Sequence, residues 1–406
     1  MAKVLITLLG TGRQAKDEES SKYEVTDYKI ENKVYKNLTF LSNAIIQHKN
    51  IEKVFFIGTN KSMWDNIAET FKSDDDYIMS ILEKKETNSL VEEDLIPLNN
   101  LIDEKLNSKN SKCFIVKDGE NEEELWHIFE KFIEILDLID EKDEVYFDIT
   151  HLFRSLSVMS FVMAEFGQIS KNIQIKGLYY GMFKKNEPSL IIDMSMFFEL
   201  LEWSKAIEEM EKFASLNRLV NLSNTKIAKN GFNALINMEQ AFDIANMTAI
   251  FKSINRLKNH LNYFSENENK IIRLIAPRIE KFITKLSKNR LSDFQFELAS
   301  FFAEKHYHSI AYIALAEAVV TKVCEKRDLN TNDKNDREQA KNILYKYKSY
   351  PFNSIERKFW EIYFKQINRI RNNIAHQLET TKQPKDDISN FKKYFDESRK
   401  YLKELL

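Results

Sequence analysis

One stretch, residues 145–155, constrains the fold of this chain more than any other. Its first half, Val-Tyr-Phe-Asp-Ile, has the β-branched and aromatic composition of a short buried strand. The strand pattern stops at a polar cluster of Thr150, His151, Arg154 and Ser155, and an apolar run of helical character follows over residues 156–166. Open α/β sheets bind ligands at such strand ends, and a helix N-terminus adds N–H donors. The hydroxyl, imidazole and guanidinium groups suit phosphate oxygens, so the pattern predicts an anion site.

Arginine is rare in the first half of the chain. The first 217 residues contain only Arg13 and Arg154, and each follows a candidate strand end directly. Where lysine is the default cation, an arginine indicates a need for a planar, bidentate donor. We therefore include Arg13 among the candidate ligand residues.

Two further strand ends carry small and polar residues. A continuous apolar run over residues 4–9, typical of a parallel strand buried on both faces, is followed by glycines that flank Thr11. Glycine lets the backbone approach a ligand closely, so Thr11 and Gly12 are candidate ligand residues. A second strand over residues 54–57 is followed by Thr59 and Asn60, which we expect to line the same crevice.

The first 195 residues alternate between strand and helix patterns. We expect a hairpin within residues 23–40, and the remaining predicted strands are residues 113–116, 145–149, 173–183 and 191–194. The helical segments predicted between these strands are residues 38–48, 62–71, 95–106, 122–139 and 156–166. This alternation predicts an α/β, Rossmann-like sheet with parallel character over residues 1–195.

The rest of the chain has a different composition. Seven of the eight glycines lie at or before Gly181, and none occurs after Gly231, which argues for long helices. Residues 196–289 read as a helical connector, and residues 290–406 as an all-α C-terminal domain. In the latter we predict one long helix over residues 294–326 and another over residues 359–377.

Charge and cysteine content exclude several classes of protein. The formal net charge of −2 excludes a strongly basic nucleic-acid coat but leaves local basic faces possible. Two isolated cysteines, Cys113 and Cys324, fit a reducing cytoplasm and provide neither a disulfide framework nor a zinc site. The apolar N-terminal run is too short for a membrane span and lacks the cleavage site of a signal peptide.

A second polar constellation lies in the predicted helix over residues 359–377. Arg371 is followed by Asn372 and Asn373 and, five residues after the arginine, by His376. Histidine is the natural acid or base near neutral pH, and arginine stabilises developing phosphorane charge. Five residues at 100° each place Arg371 and His376 about 140° apart on an ideal helix. Either the helix is irregular there, or the site lies at a symmetric seam between two copies.

The two constellations together resemble the CRISPR-associated CARF–HEPN ribonucleases of type III systems. The first part of the resemblance rests on Leu-Gly-Thr-Gly at residues 9–12 and on Asp-Ile-Thr-His-Leu-Phe-Arg-Ser at residues 148–155. The second rests on Arg-Asn-Asn-Ile-Ala-His at residues 371–376, which matches the Arg-x4–6-His pattern of HEPN domains. Residue 152 is Leu where the family usually has Gly.

The resemblance implies a CARF sensor domain that binds a cyclic oligoadenylate, with a tetra-adenylate favoured over a hexa-adenylate. Binding would activate a metal-independent endoribonuclease formed by a HEPN homodimer or a higher homo-oligomer, which cleaves single-stranded RNA in antiviral defence. No cofactor and no metal are expected. The implied catalytic residues are Arg371, Asn372 and His376. The implied and predicted ligand residues together are Thr11, Gly12, Arg13, Thr59, Asn60, Thr150, His151, Arg154 and Ser155.

Alternatives from other classes stay open at this point. A ligand-sensing regulator would use the helical half to bind RNA or DNA without cleavage. A nicotinamide-dependent oxidoreductase is disfavoured because the glycine fingerprint of dinucleotide-binding folds is incomplete. A sensor domain that also degrades its own activator is compatible with Thr11, Thr150 and His151, since the same groups can hold a phosphate or cleave beside it.

Overall fold

The chain forms two compact units, Met1–Glu199 and Leu200–Leu406. The structure is a computed structural model that describes residues 2–12, 24–151, 154–184, 186–224, 229–376 and 384–406. Over these residues, no helix combines the length and the apolar character that a membrane span requires.

The first unit alternates strands and helices, as the sequence predicts. Its strands are β1 (Lys3–Leu9), β2 (Thr26–Ile30), β3 (Lys33–Leu38), β4 (Lys53–Gly58), β5 (Lys112–Ile115), β6 (Glu144–Asp148), β7 (Gln174–Met182) and β8 (Ser189–Asp193). Its helices are α1 (Leu41–Lys49), α2 (Trp64–Thr70), α3 (Asp75–Glu86), α4 (Ile96–Leu106), α5 (Glu122–Asp137) and α6 (Arg154–Ser170), with a 3-10 turn at Glu92–Leu95. Helix α3 was not predicted.

The strands form one mixed sheet in the order β3-β2-β8-β7-β6-β1-β4-β5. The five strands from β7 to β5 in this order are mutually parallel, and β1 lies at their centre. Alternate residues of β1 enter two separate cores: Leu5 and Leu9 pack with α1, α2 and α4, whereas Val4, Ile6 and Leu8 pack with α5 and α6. Burial on both faces explains why β1 is a continuous apolar run. The predicted Rossmann-like fold is therefore confirmed.

The chain reverses its direction across the sheet at β1. After β1 the next parallel strands, β4 and β5, lie on one side, and the chain then returns to place β6 on the other side. The carboxyl ends of β1, β4 and β6 consequently meet at a topological switch point, which is where open α/β sheets form ligand crevices. The predicted hairpin, β2 and β3, extends the sheet beyond β8.

The second unit is helical throughout its described residues. Its helices are α7 (Met196–Phe213, which begins in the first unit), α8 (Asn217–Ser223), α9 (Lys229–Asp243), α10 (Met247–Lys258), α11 (Asn262–Ser265), α12 (Lys270–Leu286), α13 (Leu291–Glu304), α14 (His308–Lys326), α15 (Lys334–Lys346), α16 (Ile355–Ile362), α17 (Asn368–His376) and α18 (Pro384–Leu405). One hydrophobic core contains buried side chains from Trp203 to Leu402. The all-α prediction for this half is confirmed, while the boundary proposed at residue 290 stays a prediction.

The single long helix predicted over residues 294–326 is wrong. The structure has two helices there, α13 and α14, because His306 adopts a left-handed backbone with φ of 63°. The Tyr307 N–H donates to the Phe302 carbonyl (2.8 Å), which closes α13 in the manner of a Schellman cap. Neither glycine nor proline marks this break in the sequence, so the apolar periodicity runs through it.

A buried carboxylate connects the elements at the switch point. Asp148, at the end of β6, is 1% exposed. Its Oδ2 accepts hydrogen bonds from the hydroxyls of Thr7 in β1 (2.8 Å) and Ser42 in α1 (3.0 Å). Its Oδ1 accepts from the backbone N–H of Thr150 (3.0 Å) and from the Thr150 hydroxyl (2.5 Å). Asp148 thus joins two neighbouring strands, a helix and the turn that follows β6.

Replacing this carboxylate by an amide should destabilise the first unit. Asp148→Asn turns one acceptor oxygen into a donor that faces other donors, and we expect a loss of about 1–3 kcal/mol. Asp76→Asn makes the same chemical change at an exposed position and should alter stability by no more than about 0.5 kcal/mol. Calorimetric unfolding of the full chain measures both, and equal transition temperatures for the two variants would contradict this role of Asp148.

Candidate functional site

The loops after β1 and β4 hold each other in place at the switch point. The Ser62 hydroxyl donates to the Leu9 carbonyl (2.6 Å), and the Met63 N–H donates to the Gly10 carbonyl (2.9 Å). The Thr59 N–H in turn donates to the Ser62 hydroxyl (2.9 Å). The loop after β4 therefore fixes the backbone at Gly10, and the next two residues, Thr11 and Gly12, are exposed to solvent.

Thr150 connects the end of β6 to β7. Its hydroxyl donates its single proton to Asp148 and accepts from the Gly181 N–H (2.8 Å). A Cβ on Gly181 would lie 2.0 Å from the Leu41 side chain and 2.9 Å from Thr150, so only glycine fits there. Because the Thr150 proton is already donated, the side chain of Thr150 shapes this region and positions Gly181. Its predicted contact with a ligand stays a prediction.

These loops enclose a cleft of about 520 Å³. Five of the predicted ligand residues line it although they come from three separate parts of the sequence; these are Thr11, Gly12, Thr59, Thr150 and His151. The structure thus brings together residues from the ends of β1, β4 and β6, as the sequence predicts. Their lining of one cleft makes it the candidate ligand site of the first unit.

Of the remaining predicted ligand residues, Asn60 and Ser155 lie outside the lining of the cleft, and the two arginine side chains lie outside the described structure. Asn60 lines a neighbouring depression and donates from Nδ2 to the Asn88 carbonyl (3.3 Å). Ser155 is exposed in the first turn of α6. Arg154 is the first residue of α6, but its side chain lies outside the described structure, as does all of Arg13. Helix α6 begins three residues after His151, so its first N–H groups, which have no partner within the helix, lie near the cleft in sequence.

Sequence analysis missed several residues that line the cleft. They are Glu24, Thr26, Tyr28, Thr39, Leu41, Met63, Tyr180, Gly181 and Phe183. The most informative is Tyr180, which is 41% exposed, whereas its neighbour Tyr179 is buried. Alternation along β7 sends the two rings to opposite faces, and a Tyr-Tyr-Gly run at a strand end was the signal available for this site.

The second candidate site lies on α17. The Arg371 Nη1 donates to Asn372 Oδ1 (3.1 Å), and Arg371 Nη2 lies 3.8 Å from Glu317 Oε1 on α14. The other oxygen of Glu317 accepts from Arg337 on α15. Glu317 therefore holds two guanidinium groups, and sequence analysis did not identify it because its partners lie on other helices.

Helix α17 is regular, but the turn before it is not. Tyr363–Ile367 form a π-helical segment that joins α16 to α17, and such segments occur often at functional sites. Tyr363 is buried in that segment, which raises the pKa of its phenol, and its hydroxyl lies 3.4 Å from the Ala316 carbonyl. Because the irregular turn precedes Asn368, it does not alter the angle between Arg371 and His376. Both remain about 140° apart on α17, and His376 is exposed at its end.

Across the described residues, no three His, Cys, Asp or Glu side chains are grouped so that they could hold a metal ion.

Comparison with known proteins gives family matches for the first unit and for the first part of the second. Residues 4–184 match the family model for the CARF domain of the CRISPR system endoribonuclease Csx1, and residues 199–293 match the model for the second domain of the CRISPR-associated protein MJ1674. The chain is 31% identical to the CRISPR-associated protein MJ1674 of Methanocaldococcus jannaschii over 408 residues, which cover 93% of this chain and 62% of that protein. The chain therefore spans less than two thirds of the length of this relative.

Among solved structures, the chain is similar to Enterococcus italicus Csm6 bound to cyclic hexa-2′-fluoro-hexa-dAMP. The TM-score is 0.44 and the sequence identity 11%, over 99% of this chain and 94% of that one.

The first unit contains a CARF domain, since the family match over residues 4–184 covers strands β1 to β7 and the loops of the cleft. The chain accordingly contains a CARF domain and is similar in sequence to the CRISPR-associated protein MJ1674. The resemblance seen in the sequence is confirmed at this level.

The Glu317 interactions lead to a test that does not depend on activity. Glu317→Ala removes the carboxylate between Arg337, whose side chain is 19% exposed, and Arg371. We expect a loss of about 1–3 kcal/mol of unfolding free energy, because a half-buried guanidinium is left without its partner. Glu338→Ala removes an exposed carboxylate on α15 that pairs with Lys341, and its effect should stay within about 0.5 kcal/mol. Urea unfolding compares the two, and similar losses would contradict the role assigned to Glu317.

Proposed function

We propose that this chain is an endoribonuclease activated by a cyclic oligoadenylate, acting on single-stranded RNA in type III CRISPR defence. The observation that carries the proposal is the convergence of Thr11, Gly12, Thr59, Thr150 and His151 on one cleft within a CARF domain. The second helical unit would supply the nuclease, as a HEPN-like domain with Arg371, Asn372 and His376.

The chemistry of the cleft suits a nucleotide ligand. Hydroxyl groups of Thr11 and Thr59, backbone N–H groups around Gly12 and the N-terminus of α6 are donors for phosphate oxygens. Tyr180 offers an exposed ring on which an adenine can stack. A tetra-adenylate stays our favoured activator over a hexa-adenylate, and we expect no further cofactor.

A homodimer is part of this proposal, and α6 provides support for it. Four apolar side chains of α6 are unusually exposed: Val158 is 65% exposed, Val162 56%, Phe166 44% and Ile169 71%. At 100° per residue these four side chains fall within an arc of about 80° around the helix axis. A contiguous apolar stripe of this kind favours burial against a partner, and a second copy would place two ligand clefts about one axis.

The angle on α17 also favours two copies. With Arg371 and His376 about 140° apart on a regular helix, a phosphate touching Arg371 of one copy is best reached by His376 of the other. The 2′-hydroxyl of the RNA would attack the adjacent phosphorus and expel the 5′-oxygen. His376 would transfer a proton or position the phosphate, Arg371 would stabilise the pentacoordinate charge, and Asn372 would orient Arg371. The products would carry a 2′,3′-cyclic phosphate and a 5′-hydroxyl, and no metal takes part.

Activation in this scheme is a population shift. The ligand must bind the active dimer more tightly than the resting state, and the difference in affinity sets the degree of activation.

The role of Thr150 can be tested by ligand affinity. Thr150→Val keeps the shape but removes the hydroxyl between Asp148 and Gly181, so the cleft should bind cyclic oligoadenylate about tenfold more weakly. Thr150→Ser retains the hydroxyl and should bind nearly as tightly as the unaltered protein. Isothermal titration calorimetry with cyclic tetra-adenylate and cyclic hexa-adenylate measures these affinities. A valine variant that binds as tightly as the serine variant would show that the Thr150 hydroxyl does not contribute to ligand binding.

The nuclease is tested with a fluorophore–quencher RNA in EDTA, with each cyclic oligoadenylate in turn. We expect cleavage only with activator, and Arg371→Ala and His376→Ala should each reduce it by about 10²–10⁴-fold. Asn372→Ala should reduce cleavage because Arg371 loses its hydrogen-bond partner, whereas the neighbouring Asn373→Ala serves as the matched control.

Cleavage that survives the combined Arg371 and His376 substitutions, or that requires Mg²⁺, would refute the mechanism. Tight activator binding without any cleavage would instead support a regulator that senses the ligand and binds nucleic acid.

A further inference from the structure

A strongly basic groove lies on the second unit, away from Arg371 in the fold. It encloses about 510 Å³ where the start of α13 meets the ends of α14 and α18. Its lining contains six cations and one carboxylate; the cations are Arg290, Lys322, Lys326, Arg399, Lys400 and Lys403. The chain as a whole has 60 basic and 62 acidic residues, so this local imbalance departs sharply from its composition.

Most of these cations have no acidic partner within the chain. Among the described residues, Lys322 pairs with Asp293 (2.9 Å) and Lys326 donates to the main-chain oxygen of Leu406 (3.2 Å), whereas the other four cations form no ion pair with an acidic side chain. Arg399 instead lies over the rings of Phe296 and Phe395, 5.6 Å from each centroid, which restrains its guanidinium at the groove. Unneutralised cations repel one another, so an external polyanion would be favoured at this position.

Helix dipoles do not account for the cluster. Lys326 and Lys403 lie in the last turns of α14 and α18, where a positive charge is favourable. Arg290, however, precedes the first turn of α13, where the dipole disfavours a cation. Its position there, together with Arg399 and Lys400, indicates a function other than helix stabilisation.

The groove lies a short distance along α14 from the candidate catalytic helix. Arg371 of α17 lies 3.8 Å from Glu317 of α14, and Lys322 and Lys326 follow on the same helix. At 1.5 Å per residue, Lys322 is about 8 Å and Lys326 about 14 Å beyond Glu317. These distances correspond to roughly two to four stacked nucleotides of one strand at ~3.4 Å each.

We propose that this groove binds the phosphate backbone of single-stranded RNA, several nucleotides away from the bond that is cut. The proposal rests on the ribonuclease function proposed above and adds to it a second RNA contact. Long substrates would occupy the groove and the site around Arg371 together, whereas a dinucleotide would not reach both.

The first test measures RNA binding without cleavage. A fluorescein-labelled 20-nucleotide oligouridine with methylated 2′-hydroxyls cannot react by 2′-hydroxyl attack, and its affinity is followed by fluorescence anisotropy in EDTA. Lys400→Gln with Lys403→Gln should weaken binding by roughly tenfold or more at low salt and reduce the slope of log K against log salt by about 1.4. Lys252→Gln with Lys258→Gln removes two exposed cations of α10 and is the matched control. Equal effects of the two pairs, or none from the first, would overturn the proposal.

The second test uses cleavage and substrate length. In the Lys400 and Lys403 variant, KM for a 20-nucleotide RNA should rise while kcat stays unchanged, and KM for a dinucleotide RNA should stay the same. A rise in KM for both lengths would overturn the proposal. A changed oligomer mass in sedimentation with unaltered RNA affinity would also overturn it, because the groove would then be a protein contact. RNA binding that depends on the groove in a protein that never cleaves would support the groove and refute only the nuclease.

Discussion

The carboxylate of Asp148 is the interaction on which the first unit most depends. A charged group that is 1% exposed is tolerated only when hydrogen bonds replace its lost hydration, and here three hydroxyls and one backbone N–H do so. Each donor comes from an element that borders the cleft: β1, α1 and the turn after β6. The geometry of the candidate ligand cleft is thus fixed by a group beneath it.

Glu317 has a comparable position in the second unit, but it is only partly buried and its partners are charged. Its two oxygens are directed at Arg337 and Arg371, which restrains Arg371 while leaving its guanidinium about one third exposed. A guanidinium held loosely at 3.8 Å can turn from the carboxylate to a phosphate at little cost, whereas the shorter contact to Arg337 keeps Glu317 in place. The two carboxylates therefore position functional groups in different ways, one rigidly and one reversibly.

The sequence predicted the elements of the first unit and the meeting of three strand ends well, because strand periodicity and residue type are local properties. It did not predict Asp148 or Glu317 as organising residues, since their partners are distant: Thr7 lies 141 positions from Asp148. It assigned Thr150 to the ligand from its hydroxyl, although that proton is donated to Asp148. It also missed the break at His306, because a left-handed histidine leaves no mark in an apolar pattern. Local signals identified the site, but the contacts that support it are set by tertiary structure.

Under the proposed function, symmetry relates the separate features of this chain. In one copy the apolar stripe on α6 is exposed, and Arg371 and His376 lie about 140° apart on α17. A second copy would bury the stripe and would bring its His376 to the Arg371 of the first. A ligand that bridges two first units would hold their second units at a high effective concentration, since the units are covalently joined. Coupling between sensing and cleavage then needs no chain of contacts from the cleft to Arg371. It requires only that the ligand favour the paired arrangement by more free energy than opposes pairing in its absence.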